Sequence, residues 1–205
     1  SESYKKLLIE PFKDKIQTGN KVVKVIRENN KVLLKLQDGS SRSYDKVILA
    51  CHADQALELL DKPETIEEKL LGPFKYEKNI AVVHTDERVM PKNKKTWSSW
   101  NYRIEEIEGK RIPTTIYWMN SLQGVSKKKN YFVSINPILS KLDKTKIIKS
   151  LEYEHPLFDM KAINAQKDLS LLNKNGPVYF CGSYFKYGFH EDAFKSAKEL
   201  CNSLT

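Results

Sequence analysis

The sequence predicts an α/β chain, closer to α+β in balance, with an antiparallel-rich insert between the two ends of one α/β unit. Two short apolar runs, Val47-Ile48-Leu49-Ala50 and Val178-Tyr179-Phe180-Cys181, each pass through a turn into a helical pattern. Such runs suit strands covered on both faces. Between them, residues 74–137 are rich in aromatics and alternate as antiparallel strands do. The domain limits that follow are 1–60 with 170–205 for the split unit and 61–169 for the insert.

The elements are justified in chain order. Tyr4, Leu7, Leu8 and Phe12 recur at helical spacing. Thr18-Gly19-Asn20 is a turn. Residues 22–27 and 32–36 are strands joined by Glu28-Asn29-Asn30-Lys31, a natural hairpin turn. Asp38-Gly39 turns the chain again into a short polar strand at 40–44. Residues 45–51 form the first buried strand, and Asp54 is the expected N-cap of a helix at 55–60. In the insert, strands are expected at 79–85, 96–104, 114–120 and 131–136, with charged turns at 86–95, 105–111 and 123–130. Residues 144–154 read as a helix through Ile147, Ile148 and Leu151, ended by His155-Pro156. The second buried strand ends at Gly182, residues 183–188 are a loop, and 189–204 are a helix.

Composition narrows the function. The 205 residues carry 35 Lys+Arg against 26 Asp+Glu, a net charge of +9. Only five of the basic residues are Arg, and the densest lysines, Lys92-Asn93-Lys94-Lys95 and Lys127-Lys128-Lys129, sit in expected turns. Nucleic-acid interfaces use the planar arginine fork heavily, so a nucleic-acid partner is not expected. No apolar run approaches the roughly 18 residues of a membrane span. The polar start and the three cysteines, Cys51, Cys181 and Cys201, suit a cytoplasmic, reducing location. Those cysteines and the four histidines (His52, His84, His155, His190) have no metal-ligand spacing, so no metal is expected.

Two local signals suggest a ligand. The strand-loop-helix around Gly182 and Gly188 presents free backbone N–H groups near His190, suited to an anion or an electron-rich carbonyl. Ala50, Cys51 and His52 lie at a strand's carboxyl end, where open sheets bind ligands. Each segment also reads as a plain packing unit. The aromatics Trp97, Trp100, Tyr102, Tyr117, Trp118, Tyr131 and Phe132 fit either a sheet core or an apolar substrate cavity closed by Tyr184, Phe185 and Tyr187. Of the cavity wall, Trp100, Tyr102, Trp118, Tyr184 and Tyr187 are the main candidates.

The order hairpin, Asp-Gly turn, Tyr44-Asp45-Lys46-Val47-Ile48-Leu49-Ala50, insert, Val178-Tyr179-Phe180-Cys181-Gly182, Gly188 and Ser196-Ala197 resembles the C-terminal part of FAD-dependent amine oxidases and desaturase-type flavoproteins. Cys51-His52-Ala53-Asp54-Gln55-Ala56-Leu57, Tyr117-Trp118-Met119-Asn120, Glu154-His155-Pro156-Leu157-Phe158-Asp159 and Tyr187-Gly188-Phe189-His190-Glu191-Asp192 resemble a bacterial branch of predicted NAD/FAD-binding proteins. The resemblance implies a partial glutathione-reductase-type FAD-binding domain at the chain ends and a substrate-domain insert. It places Val22 against the adenine, and Ala50 and Cys51 near the ribose and pyrophosphate. It places Gly182 near the phosphates, and Phe189 and His190 at the flavin pyrimidine carbonyl.

The sequence departs from that pattern at Asp192-Ala193, where Gly-Ala is usual, and at Ser196-Ala197, where Ser-Gly is usual. None of its eight glycines are spaced to make G-x-G-x-x-G. The expectation is therefore the later portion of a longer flavoprotein, whose partner is its own N-terminal part and whose isolated chain is inactive and binds FAD doubtfully. The whole protein would remove a hydride from an amine or an apolar, lipid-like small molecule. No residue is singled out as catalytic. The alternative is a non-catalytic binding or interaction module on a flavoprotein scaffold.

Overall fold

The computed structural model describes residues 2–204, and they divide into two units. One runs from the start of the chain to Lys75 and resumes at Pro156; the other is Tyr76–His155.

The first unit opens with helix α1 (Glu2–Ile9), followed by a 3₁₀ segment with a proline in its first turn. Strands β1 (Val22–Glu28), β2 (Lys31–Leu36) and β3 (Ser41–Tyr44) form an antiparallel meander. The β1–β2 hairpin closes on Asn29 and Asn30, both with positive φ. Asparagine tolerates that region, and two such residues match the twist of the flanking strands. Strand β4 (Val47–Leu49) pairs in parallel with β10 (Val178–Phe180), residue for residue from Val47↔Val178. Around this pair lie helices α2 (Ala53–Leu59), α3 (Thr65–Leu71), α5 (Met160–Gln166) and α6 (His190–Leu204). The core holds Val25, Leu49, Leu71, Phe74, Phe180 and Tyr184.

The second unit is a five-stranded sheet in the order β6-β7-β8-β5-β9. Its strands are β5 (Lys75–His84), β6 (Trp100–Ile107), β7 (Lys110–Trp118), β8 (Phe132–Ile135) and β9 (Ile147–Leu157), with the short helix α4 (Met119–Gln123) after β7. The β6–β7, β7–β8 and β8–β5 pairs are antiparallel, as expected.

Four sequence expectations are corrected. Residues 147–157 are strand β9, not a helix. The Ile147, Ile148 and Leu151 pattern satisfied helical spacing, but the segment pairs with β5 and leaves Ile148 and Leu151 exposed. Pro156 is tolerated because an edge strand need not donate every N–H. The expected turn at 105–111 shrinks to Glu108-Gly109, both with positive φ, so β6 and β7 pair in register from Ile107↔Lys110. Asp54 is not the N-cap of α2; that position is His52, and Asp54 lies in the first turn. Strand β4 is not buried on both faces, since Ile48 is 42% exposed.

Candidate functional site

The carboxyl ends of β4 and β10 meet because the two strands run in parallel. The Cys181 amide donates to the Leu49 carbonyl (3.1 Å) and the Val47 amide to the Pro177 carbonyl (2.8 Å). This register brings Ala50, Cys51 and Gly182 to one sheet end. Gly182 has no room for a side chain: a Cβ there would lie 2.6 Å from the Tyr184 ring and 3.5 Å from the Cys51 carbonyl oxygen. Its amide donates to the Ser196 hydroxyl (2.9 Å), and that hydroxyl donates to the Ala193 carbonyl (2.8 Å). Ser196 is buried and fastens α6 to the strand end.

Val22 comes to the same neighbourhood through β1. A bridge between Val25 and Leu60, the Asp61 amide on the Val25 carbonyl (3.0 Å) and the Lys24–Asp61 ion pair (2.8 Å) hold β1 against the end of α2. A cavity of about 480 Å³ opens there, lined by Val22, Val23, Cys51, Gln55, Glu58 and Leu59 among others. Burial pushes the Cys51 thiol upward in pKa, so it stays protonated and non-nucleophilic at neutral pH. Val22 and Cys51, 29 positions apart in the sequence, thus share one cavity wall.

At the start of α6 the Asp192 carboxylate accepts from the Tyr187 amide (3.1 Å) and the Phe189 amide (3.0 Å). The departure from Gly-Ala at this position therefore builds a cap, and the Phe189 N–H has a partner within the chain. The His190 ring nitrogen Nε2 hydrogen-bonds the Tyr4 hydroxyl, with the rings edge-on at 5.6 Å. A second cavity, about 400 Å³, lies beside this segment and includes Phe158, Ile163, Phe185 and Tyr187 in its wall.

The aromatic candidates are divided between the units. Trp100 and Tyr102 stack on each other (6.2 Å between centroids) and are more than half exposed. Trp118 packs edge-on against Trp97 (5.2 Å) and donates through Nε1 to Asn130 Oδ1 (2.9 Å). Tyr184 is buried against Phe74 and Phe185, at 5.4 and 5.0 Å. Tyr187 is 76% exposed. Among the described residues no group of His, Cys, Asp and Glu could hold a metal ion, and no helix is long and apolar enough to cross a membrane.

Residues 5–125, more than half of the chain, match the family model of flavin-containing amine oxidoreductases. The chain belongs to that family. Solved structures share the fold of this flavin-containing amine oxidoreductase chain at low identity. A putrescine oxidase with redesigned cofactor binding has TM-score 0.64 and 10% identity, covering 96% of this chain and 50% of its own. Cyclohexylamine oxidase from Brevibacterium oxydans IH-35A has 0.62 and 12%, covering 96% and 51%. A fatty acid isomerase from P. acnes that produces CLA has 0.55 and 13%, covering 90% and 47%. The chain thus spans about half the length of the solved structures it matches. The comparison with curated proteins gives no match.

Lys21, Val23, Gln55, Glu58 and Leu59 line the larger cavity and were not singled out from the sequence. Their only sequence signal was position beside Val22 and Cys51; the β1–α2 juxtaposition that makes them a wall is tertiary. Ser196 did carry a signal, as the serine of the Ser-Gly position.

Proposed function

We propose that this chain forms the later part of an FAD-dependent oxidoreductase, with the unit containing both chain ends as its share of a glutathione-reductase-type FAD-binding domain. The Tyr76–His155 unit is the core of its substrate domain. The observation that carries this reading is the cavity of about 480 Å³ whose wall joins Val22 to Cys51. Its volume falls in the range of small-molecule sites, about 300–1,000 Å³. Val22 and Cys51 offer backbone groups to the adenosine end of FAD, and Gln55 and Glu58 offer polar side chains to its hydroxyls. Gly182, which leaves no side chain at the strand end, serves the phosphates, with Ala50 beside it. Phe189 and His190 at the α6 start are assigned to the flavin end through their side chains, since the Phe189 amide is held by Asp192 and is not free as the sequence reading expects.

FAD, when bound, supplies the hydride acceptor for cleaving a C–H bond beside nitrogen or on an activated carbon chain. The chain's own residues bind and orient. Within the Tyr76–His155 unit, the exposed, stacked pair Trp100 and Tyr102 is the proposed apolar surface for a small-molecule substrate. The neighbours in fold include two amine oxidases and a fatty acid isomerase, which supports an amine or lipid-like substrate.

The test is titration of FAD into the purified chain, followed by flavin fluorescence. Quenching that ADP reverses is expected. Val23→Trp and Gln55→Trp, both exposed positions on the cavity wall, should weaken it by at least about tenfold, by filling space rather than removing a contact. No quenching, or quenching indifferent to ADP and to both substitutions, would overturn the assignment of this cavity.

A further inference from the structure

The second unit holds a cavity of its own, about 210 Å³, walled by Arg88, Arg103, Glu105, Ser134 and Lys141 together with apolar residues such as Ile116 and Ile138. Arg103 and Thr114 are directly paired across β6 and β7, so they share a sheet face. Trp100 and Tyr102 alternate to the opposite face. The cavity therefore lies on the face opposite Trp100 and Tyr102, the face that also carries Ile116 and Trp118.

Its polar groups are fixed from behind. The Asp86 amide donates to His84 Nδ1 (3.1 Å), so the His84 proton sits on Nε2 and is donated to the Ser134 hydroxyl (2.8 Å). His84 and Ser134 are both fully buried. With His84 as donor, Ser134 cannot hand it a proton, which rules out a serine nucleophile activated by this histidine. The Ser134 hydroxyl is fully buried and anchors His84 behind the cavity wall. The Asp86 carboxylate grips the Arg88 guanidinium through Nε (2.9 Å) and Nη2 (2.6 Å). Arg103 is held by the Val89 carbonyl (3.2 Å) and Glu105 (3.0 Å), and Lys141 also pairs with Glu105.

The charge balance selects the ligand. Three cations, Arg88, Arg103 and Lys141, face two carboxylates, Glu105 in the wall and Asp86 behind Arg88. The pair of Lys146 and Asp143 alongside is neutral. One positive charge is left over, next to an apolar floor. We propose that this cavity is a binding site for a small monocarboxylate with a short apolar body. The carboxylate accepts from the arginine and lysine side chains, and the body lies against Ile116 and Ile138. The volume, below that of sites for drug-sized ligands, limits the body to a few carbons.

The test is isothermal titration of the whole chain with sodium butyrate at constant ionic strength, with butylamine and inorganic phosphate as controls. Butyrate is expected to bind one to one, and butylamine not at all. Arg103→Gln and Lys141→Gln alter half-exposed side chains and should each weaken binding about tenfold, the scale of one charge-assisted hydrogen bond. Ile138→Trp, which fills the cavity, should abolish it, with circular dichroism confirming that each variant is folded. Absence of butyrate binding, equal binding of butylamine, binding of phosphate in place of butyrate, or indifference of folded variants would each overturn the proposal.

Discussion

His84 ties the stability of the Tyr76–His155 unit to pH, and His84→Gln should remove most of that dependence. The ring is fully buried, stacked on Phe132 at 5.5 Å, and uses Nδ1 to accept the Asp86 amide. Charging it would cost hydration and set two N–H groups against each other. Burial accordingly pushes its pKa down to about 4 from 6.5, with the nearby Asp86 charge opposing the fall only in part. Above about pH 6.5 the ring is neutral in both folded and unfolded chains and contributes no slope. Between about 6.5 and 4 the unfolded chain takes up a proton that the folded chain refuses. Stability then falls by about 1.4 kcal/mol for each pH unit of acidification. Lowering the pH from 7 to 5 should therefore cost about 2 kcal/mol. Below about 4 the folded ring also charges and this slope ends.

Glutamine keeps a donor for Ser134 but does not titrate. The assay is urea unfolding at pH 7, 6 and 5, followed by tryptophan fluorescence. It is selective because Trp97, Trp100 and Trp118, the three tryptophans of the chain, all belong to this unit. The wild-type loss should exceed the variant's by about 2 kcal/mol between pH 7 and 5. Equal losses in both proteins would refute the argument.

Three further outcomes are expected. Ser196→Ala removes the buried acceptor of the half-buried Gly182 amide and should destabilise the first unit by about 1–3 kcal/mol, read from thermal melts and from faster exchange of that amide. Gly182→Ala would drive a methyl group into the buried Tyr184 ring, 2.6–2.8 Å away, and should cost about 1–3 kcal/mol by overpacking; an unchanged melting temperature would contradict the close packing. Asn120 donates to the Ser126 and Lys129 carbonyls, both at 2.7 Å, and accepts from the Tyr131 amide at 2.7 Å. Asn120→Ala should therefore loosen residues 123–130 and accelerate tryptic cleavage at Lys127, Lys128 and Lys129, with little change in the global melt.

The elements were most legible where one local cause sufficed. Asn29-Asn30 marked its hairpin because few residues accept positive φ. The helix at 190–204 was legible because Ala193, Ala197, Leu200 and Cys201 hold helical spacing over more than two turns. Residues 147–157 were misread because two isoleucines and a leucine satisfy helical spacing as well as a strand's preference for β-branched residues, and only the pairing with β5 separates the two. The helices at Thr65–Leu71 and Met160–Gln166 went unassigned because two turns carry too few apolar positions for a period to stand out.

By itself the sequence determined the style of most segments, the antiparallel character of the middle of the chain, and the resemblance that the family match bears out. These follow from local preference and residue order. Tertiary structure alone decided that Val22 and Cys51 share a cavity and that His84 sets the direction of the Ser134 hydrogen bond. Each depends on groups far apart in the chain or on the direction of a single N–H. Periodicity reports which face of an element is apolar; it carries no information about which element that face will meet.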